Sequence, residues 1–364
     1  MNKLFLLLIL LIPVSAQVYV TWRLWQLLPV PVWGKVMMSV ALAVAFALFI
    51  LSVLPPLDRF PLALSSLIYH IGTSWLMIMF YLFLLFLVLD LLRLSHLLPA
   101  VFLRNSWTGT SVVLTTIVVV FTYGYLHYLH KERVELPLQT SKPLSKPLRI
   151  VMTSDWHLGY HNRRSELARW IDLINAEQPD LVLIAGDVID RSLRPLAEEG
   201  MAEEFHRLTA PVYACLGNHE YFSGEPGALA FYQAAGIHLL KDSTATVGDL
   251  VIIGRDDRTR HHRKPLETLL RDVSRDKYLI LLDHQPYHLE EAEAAGIDFQ
   301  LAGHTHHGQL WPVSWITDYL YECAFGPHQR GATRYYVSSG LGIWGGKFRI
   351  GTQSEYIVAD ITCL

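Results

Sequence analysis

Four long apolar stretches, residues 4–20, 36–54, 67–89 and 112–126, dominate the first third of this 364-residue chain. Each approaches or exceeds the roughly 20 residues that cross a bilayer as a helix. The first 128 residues hold two acids, Asp58 and Asp90, and six bases, so most of the charge lies downstream. Trp22, Trp25, Trp33, Trp107, Tyr123 and Tyr125 stand near the stretch ends, where amphipathic rings favour the headgroup region. The expectation is an all-α transmembrane region of about four helices over residues 1–130.

A second reading of the first stretch stays open, because Lys3, the apolar run and the small residues of Val14-Ser15-Ala16 resemble a signal peptide with its cleavage site. Both readings place the end of the chain on the same side. With four helices, Lys3, Arg59, Lys131, Arg133, Lys142, Lys146 and Arg149 fall on the amino-terminal side, against Arg23, Lys35, Arg93 and Arg104 opposite. The positive-inside bias then puts the downstream part in the cytoplasm. Cys215, Cys323 and Cys363 form no close pair, in keeping with a reducing compartment. Residues 136–148 carry Pro137, Pro143 and Pro147 among Lys and Ser, so residues 131–147 read as an extended linker. The remaining residues, 148–364, suffice for one domain with a sizeable core. The net charge is −3, and no basic run points to nucleic acid.

Residues 148–364 alternate short apolar runs with amphipathic segments, the pattern of an α/β domain. Candidate strands are 149–153, 181–185, 212–216, 250–253, 278–282, 299–302, 335–337 and 356–361. Five of them run into chemistry-bearing residues: Asp155 and His157, Asp187 and Asp190, Asn218 and His219, Asp283 and His284, and the GHTHHGQ stretch containing His304, His306 and His307. Open α/β sheets bind ligands beyond the carboxyl ends of their strands, so these tips are expected to converge on one crevice. The residue types there are metal ligands. In a tightly turned segment alternate side chains project the same way, so His304 and His306 face the crevice while His307 points away. Gly303 lets the backbone leave the strand sharply and approach a ligand closely.

Asp-x-His, Gly-Asp-x-x-Asp, Gly-Asn-His-Glu, a separate His and Gly-His-x-His, in that order, make residues 148–364 resemble calcineurin-like metallophosphoesterases. The resemblance implies a four-layer α/β/β/α sandwich with two divalent metal ions. It implies Asp155, His157, Asp187 and His306 around the first ion, and Asp187, Asn218, His284 and His304 around the second, with Asp187 as the bridge. It implies His219 beside the metals as the catalytic group that assists the leaving oxygen. Mixed carboxylate, amide and imidazole donors suit manganese, iron or zinc better than calcium or magnesium, and manganese is the expectation. Such a metal pair clamps the attacking and leaving oxygens of an in-line displacement, which makes phosphorus the natural target.

The expected protein is therefore an integral membrane phosphohydrolase, with its catalytic domain on the cytoplasmic side of a bacterial inner membrane, cleaving a phosphodiester or pyrophosphate bond. Enzymes similar to it include broad phosphodiesterases and UDP-diacylglucosamine hydrolases of lipid A synthesis, and attachment to a bilayer favours a lipid-linked substrate. One alternative is a broad phosphodiesterase of soluble substrates. A rival from another class is a transporter or receptor with a metal-sensing soluble domain, but apart from Asp90 the helices lack the charges that mark a transport path. Asp190 either orients a ligand imidazole or caps a helix near Ser192. Arg349 is expected to be exposed and paired with Glu355, the alternative being contact with a substrate phosphate. Asp256, Asp257, Arg258 and Arg260 read as a solvated charged loop.

Overall fold

In the first third of the chain, uninterrupted apolar sequence produces helix. In the computed structural model, which describes residues 3–260 and 262–364 apart from the side chains of residues 3–10, 55 and 56, four long helices cover the apolar stretches. They are α1 (Lys3–Leu27), α2 (Val32–Val53), α3 (Leu62–Leu94) and α4 (Trp107–Leu129). The last three are long and apolar enough to cross a membrane. The opening side chains of the first stretch, on which the signal-peptide reading turns, lie outside the described residues. Pro31 and Pro61 precede α2 and α3, where a missing N–H costs nothing. A Cβ on Gly72 of α3 would sit 2.6 Å from the Leu48 carbonyl oxygen, so the small residue lets two helix backbones touch. Several polar groups within the helices pair with one another: Arg23 and Tyr19 donate to Asp90 at 2.5 and 2.6 Å, and Trp75 donates to Gln17 at 2.9 Å.

The chain divides into two compact units, a helical one extending to Tyr125 with Gly345–Lys347, and a second comprising Leu126–Trp344 and Phe348–Leu364. The second unit is built on two six-stranded sheets. The strands are β1 (Glu132–Thr140), β2 (Leu148–Thr153), β3 (Leu181–Ala185), β4 (Val212–Cys215), β5 (His238–Leu239), β6 (Ser243–Val247), β7 (Leu250–Gly254), β8 (Tyr278–Leu282), β9 (Phe299–Ala302), β10 (Gly326–Arg330), β11 (Thr333–Val337) and β12 (Glu355–Cys363). The first sheet has the order β1-β12-β2-β3-β4-β5 and the second β10-β11-β9-β8-β7-β6. Strands β2 to β5 run parallel, as do β7, β8, β9 and β11.

Strand periodicity sorts the side chains into layers. Ile150, Met152, Leu181 and Leu183 meet Ile252, Ile280, Leu282 and Leu301 between the sheets. Val151, Val182 and Ile184 point the other way, onto Leu167, Trp170 and Ile174 of helix Arg164–Ala176. Val251, Leu279 and Leu281 pack outward on Leu266, Leu289 and Ala292. The result is the expected four-layer α/β/β/α sandwich. With both faces of each sheet covered, strands such as the Tyr-Leu-Ile-Leu-Leu of β8 are apolar throughout.

One segment differs from its sequence reading. Much of the expected linker forms β1, the edge strand paired in parallel with β12 from Glu132↔Glu355 to Thr140↔Cys363. Val134, Leu136 and Leu138 alternate inward onto the layer between the sheets, and a period of two is enough to fix a strand. Pro137 is tolerated because an edge strand leaves one row of N–H groups unused.

Candidate metal centre

The tips of β2, β3, β4, β8 and β9 supply the predicted residues, and the backbone there is forced into an uncommon conformation. Asp155, His157, Asp187, His304 and His306 all have positive φ, between 45° and 71°. A non-glycine residue in the left-handed region costs free energy, and such residues gather where a side chain must be aimed. At Gly303 a Cβ would lie 2.3 Å from Asp155 Oδ2, so only glycine lets β9 pass this close to β2. In the 304–307 segment Thr305 has right-handed backbone between residues of positive φ, His304 before it and His306 and His307 after it, and His304 and His306 go to different clusters.

Among the described residues three clusters form, each with its donor atoms within 4.8 Å of one another: Asp155, His157 and His306; His157, Asp187 and His219; and Asp187, His284 and His304. His157 Nε2 lies 2.9 Å from His306 Nε2, and these nitrogens stand 3.7 and 3.4 Å from Asp155 Oδ1. Asp187 Oδ2 lies 3.7 Å from His157 Nε2 and 3.2 Å from His284 Nε2, so one carboxylate reaches both sides of the crevice. Asn218 joins through its Oδ1, which is 2.8 Å from His304 Nδ1. The donor atom of His219 falls in a cluster too, although the sequence reading set it beside the metals and not among their ligands.

These contacts suit a cation better than they suit one another. Two imidazole nitrogens 2.9 Å apart are held comfortably only by a shared proton or a positive ion. His284 Nε2 is buried without a hydrogen bond, while its Nδ1 donates to the Ala185 carbonyl at 2.7 Å and so fixes the tautomer that leaves Nε2 free. Burial opposes charge on His157, but hydrogen bonds to Asp155 and Asp190 outweigh it and push its pKa up to about 10. Burial takes His304 the other way, down to about 4, with the neighbouring His284 adding to the effect. Asp187 falls well below the carboxylate range because the imidazoles around it, His284 first, overcome its burial. Buried carboxylates and imidazoles in this mixture are a donor set that fits a binuclear metal site.

The surroundings hold these groups in place. Asp190 Oδ1 stands 3.4 Å from Nδ1 of both His157 and His219, and its carbonyl oxygen accepts from His219 Nδ1 at 2.8 Å. Asp190 thus orients two imidazoles. Glu220, which the sequence reading quoted within Gly-Asn-His-Glu without a role, is fully buried and accepts from the backbone N–H groups of Asp187, Ile189 and Gly217 at 3.1, 3.0 and 2.7 Å. Its signal was the invitation of a glutamate at the start of helix Asn218–Ser223, placed to reach back to preceding N–H groups. His307 points elsewhere, with Nε2 3.2 Å from Asp318 and its ring stacked on Phe325.

Two expectations are corrected. Arg349 is fully buried and does not pair with Glu355. It donates to the carbonyls of His306, Ser339 and Gly342 at 2.7, 2.5 and 3.2 Å and to Ser354 Oγ at 3.1 Å, so it fastens the glycine-rich segment behind His306. The loop at 256–260 is not a solvated face either. Asp256 and Asp257 are buried, the first receiving the Tyr221 hydroxyl and the second the Gln285 amide at 2.9 Å.

Residues 148–308 match the family of the Calcineurin-like phosphoesterases. An uncharacterized metallophosphoesterase of Aquifex aeolicus is 30 % identical over 256 residues, 67 % of this chain and 97 % of that protein. The chain belongs to the calcineurin-like metallophosphoesterases. An uncharacterized metallophosphoesterase of Campylobacter jejuni is 32 % identical over 225 residues, 60 % of each chain. A transmembrane protein with metallophosphoesterase domain of Danio rerio is 30 % identical over 273 residues, 69 % of this chain and 62 % of the relative. The chain thus spans less than two thirds of the length of several relatives it matches, from 60 % to 65 %. Among solved structures, a 5′-nucleotidase precursor from Thermus thermophilus is similar at 18 % identity with a TM-score of 0.37, over 59 % of this chain and 54 % of the other. This metallophosphoesterase therefore joins clustered Asp and His residues, the mark of a binuclear metal site, to apolar helices of membrane-spanning length.

Proposed function

We propose that the protein is a membrane-anchored dinuclear-metal phosphohydrolase that cleaves a phosphodiester or pyrophosphate bond of a lipid-linked substrate on the cytoplasmic side of the membrane. The observation that carries the reading is the sharing of Asp187 between clusters on the two sides of one crevice. Asp155, His157, Asp187 and His306 hold one ion, and Asp187, Asn218, His284 and His304 the other. Manganese is the proposed metal, with iron and zinc its competitors for the same donors. When bound, the ions supply the positive charge and the water activation that in-line attack on phosphorus requires.

The chain's own groups do the rest. A carbonyl oxygen only accepts, so the 2.8 Å contact with Asp190 places the His219 proton on Nδ1 and leaves the other ring nitrogen for the substrate. Burial opposes protonation of His219, but the charges of Asp187 and Asp190 raise its pKa, which suits a donor to the leaving oxygen. Asp190 holds His219 and His157 at a fixed angle, and Glu220 pins the backbone that presents Asp187. The domain division proposed for this activity is a helical anchor over residues 1–130 and a catalytic part at 148–364, with the 131–147 segment between them contributing the edge strand β1 to the catalytic sheet. The anchor supports a lipid-linked substrate, since tethering raises the local concentration of anything in the same bilayer.

The test is a hydrolysis screen of the purified full-length protein, with added manganese, across soluble and bilayer-embedded phosphodiesters and pyrophosphates. Metal-dependent turnover that is fastest on a bilayer-embedded substrate is the expected result. Faster turnover of soluble substrates would replace the lipid reading with the broad phosphodiesterase. Solute uptake by reconstituted vesicles without any hydrolysis would replace it with a transporter.

A further inference from the structure

Four arginines lie within residues 255–263, and three of them are neutralised. Arg255 Nη1 donates to Glu291 at 2.6 Å and approaches Asp283 at 3.3 Å, Arg263 Nη1 donates to Asp283 at 2.9 Å, and Arg260 pairs with Glu225. Arg258 is different. Among the described residues it makes no hydrogen bond or ion pair, and its Nη1 is buried without a partner. Its guanidinium lies over the Tyr287 ring, with Cζ 4.5 Å from the ring centroid. An aromatic face attracts a cation but offers no acceptor to its N–H groups, so the desolvated nitrogen stays unsatisfied.

The position of this charge gives it a purpose. Tyr287 donates to the Tyr321 hydroxyl at 3.0 Å, and the Tyr321 ring stands 6.4 Å from the ring of His304. On its other side Arg258 follows Asp257, which accepts from Gln285, the residue after His284. The loop is thus fastened to the same strand tip that carries a metal-ligand candidate. Two tyrosine rings separate the guanidinium from His304, so its charge sits outward from the ligands, one group further along a substrate. An arginine is charged at every accessible pH and presents forked donors that match phosphate oxygens.

We propose that Arg258 binds the second phosphate of a pyrophosphate-type substrate, the anionic phosphate adjoining the one that is attacked. The inference rests on the phosphohydrolase reading above and narrows its substrate from phosphodiester or pyrophosphate to pyrophosphate. Tyr287 holds the guanidinium in place, and the tilted pair of Tyr287 and Tyr321, with ring centroids 4.8 Å apart, forms the wall along which the substrate extends.

The test uses the full-length protein with buffered free manganese and follows hydrolysis of bis(4-nitrophenyl) phosphate, with uridine monophosphate and uridine diphosphate as competitive inhibitors. The two probes differ by one phosphate. The wild-type protein should bind the diphosphate more tightly by about tenfold or more, the scale of one hydrogen bond to a charged group. Arg258→Gln should remove most of that preference, and Arg258→Lys, which keeps the charge and loses the fork, should fall between. Tighter binding of the diphosphate that persists unchanged in Arg258→Gln would overturn the assignment of Arg258, as would a wild-type protein with no preference. Absence of diester hydrolysis by the wild-type protein would instead count against the phosphohydrolase reading itself.

Discussion

The helical region and the sandwich treat their buried charged groups differently. In the helices opposites meet: Arg23 and Tyr19 close on Asp90, and Trp75 on Gln17, which leaves only scattered single atoms, Arg23 Nε, Ser66 Oγ and Thr110 Oγ1, without a partner among the described residues. At the strand tips like faces like, with His157 against His306 and His284 Nε2 left without a hydrogen bond. Burying a polar group is costly unless it is satisfied, so the helical pairs are self-sufficient and the strand-tip groups are not. A deficit concentrated where strand ends converge, on His157 and His306 already held at positive φ and on His284, marks the place where something from outside the chain completes the structure.

The largest effect should come from breaking this contrast at its centre. Asp187→Asn keeps the volume of the side chain but weakens the carboxylate that belongs to two of the clusters and that the proposal shares between two ions, so the variant should lose most bound metal and nearly all turnover while remaining folded. Asp90→Asn, the matching change in the helical region, should leave metal content and turnover of a soluble phosphodiester near normal. Metal analysis of both purified variants decides the matter. Two ions per chain in Asp187→Asn would remove the distinction between the regions.

Next in size is His219, where binding and chemistry separate. His219→Gln should retain metal yet lose on the order of 10² in turnover, the scale of a positioned acid. Its donor atom lies within reach of His157 and Asp187, so the measurement is sharp: metal loss matching that of His304→Gln would make it a ligand instead.

Glu220 tests what holds the site together. Glu220→Ala leaves the N–H groups of Asp187, Ile189 and Gly217 without their acceptor, and at about 1–3 kcal/mol for each buried orphan it should destabilise the sandwich by roughly 3 kcal/mol or more. Glu220→Gln keeps an accepting oxygen and should cost less. Thermal unfolding in detergent distinguishes them, and equal stability of Glu220→Ala and wild type would show that the three N–H groups find other partners.

The sequence made most of this site legible because β2, β3, β4, β8 and β9 are buried on both faces. Their apolar runs are unmistakable, and the polar residue that ends each run is the residue that reaches the crevice. The strands it concealed were β1, β5, β6 and β10. They are short or half-exposed, and all four form sheet edges. In β1 the alternation of Val134, Leu136 and Leu138 is masked by Pro137 and its charged neighbours. Arg349 was hidden for another reason. An arginine in a glycine-rich segment looks exposed until the backbone folds three carbonyls around it, and nothing local in the sequence announces that. Arg258 was read as one charge in a solvated loop, because which arginine of a cluster lacks an acid depends on residues brought in from Glu225, Asp283 and Glu291.

The smallest effect concerns one added methylene, placed once in each region. Val118 on α4 is 63 % exposed and faces what the anchor reading assigns to lipid, whereas Val151 on β2 is fully buried between sheet and helix. Lipid chains adapt to a larger side chain, but a close-packed core does not, and overpacking costs roughly 1–3 kcal/mol. Val151→Leu should therefore lower the unfolding midpoint in detergent, while Val118→Leu should stay within about 0.5 kcal/mol of wild type, as exposed substitutions do. The pair also reports on the anchor, since Val118→Asp should oppose membrane insertion by about 2.5–3.5 kcal/mol at the helix centre. If Val118→Leu proved as disruptive as Val151→Leu, this face of α4 would be packed against protein instead of lipid, and the contrast between the two regions would lie elsewhere along the helix.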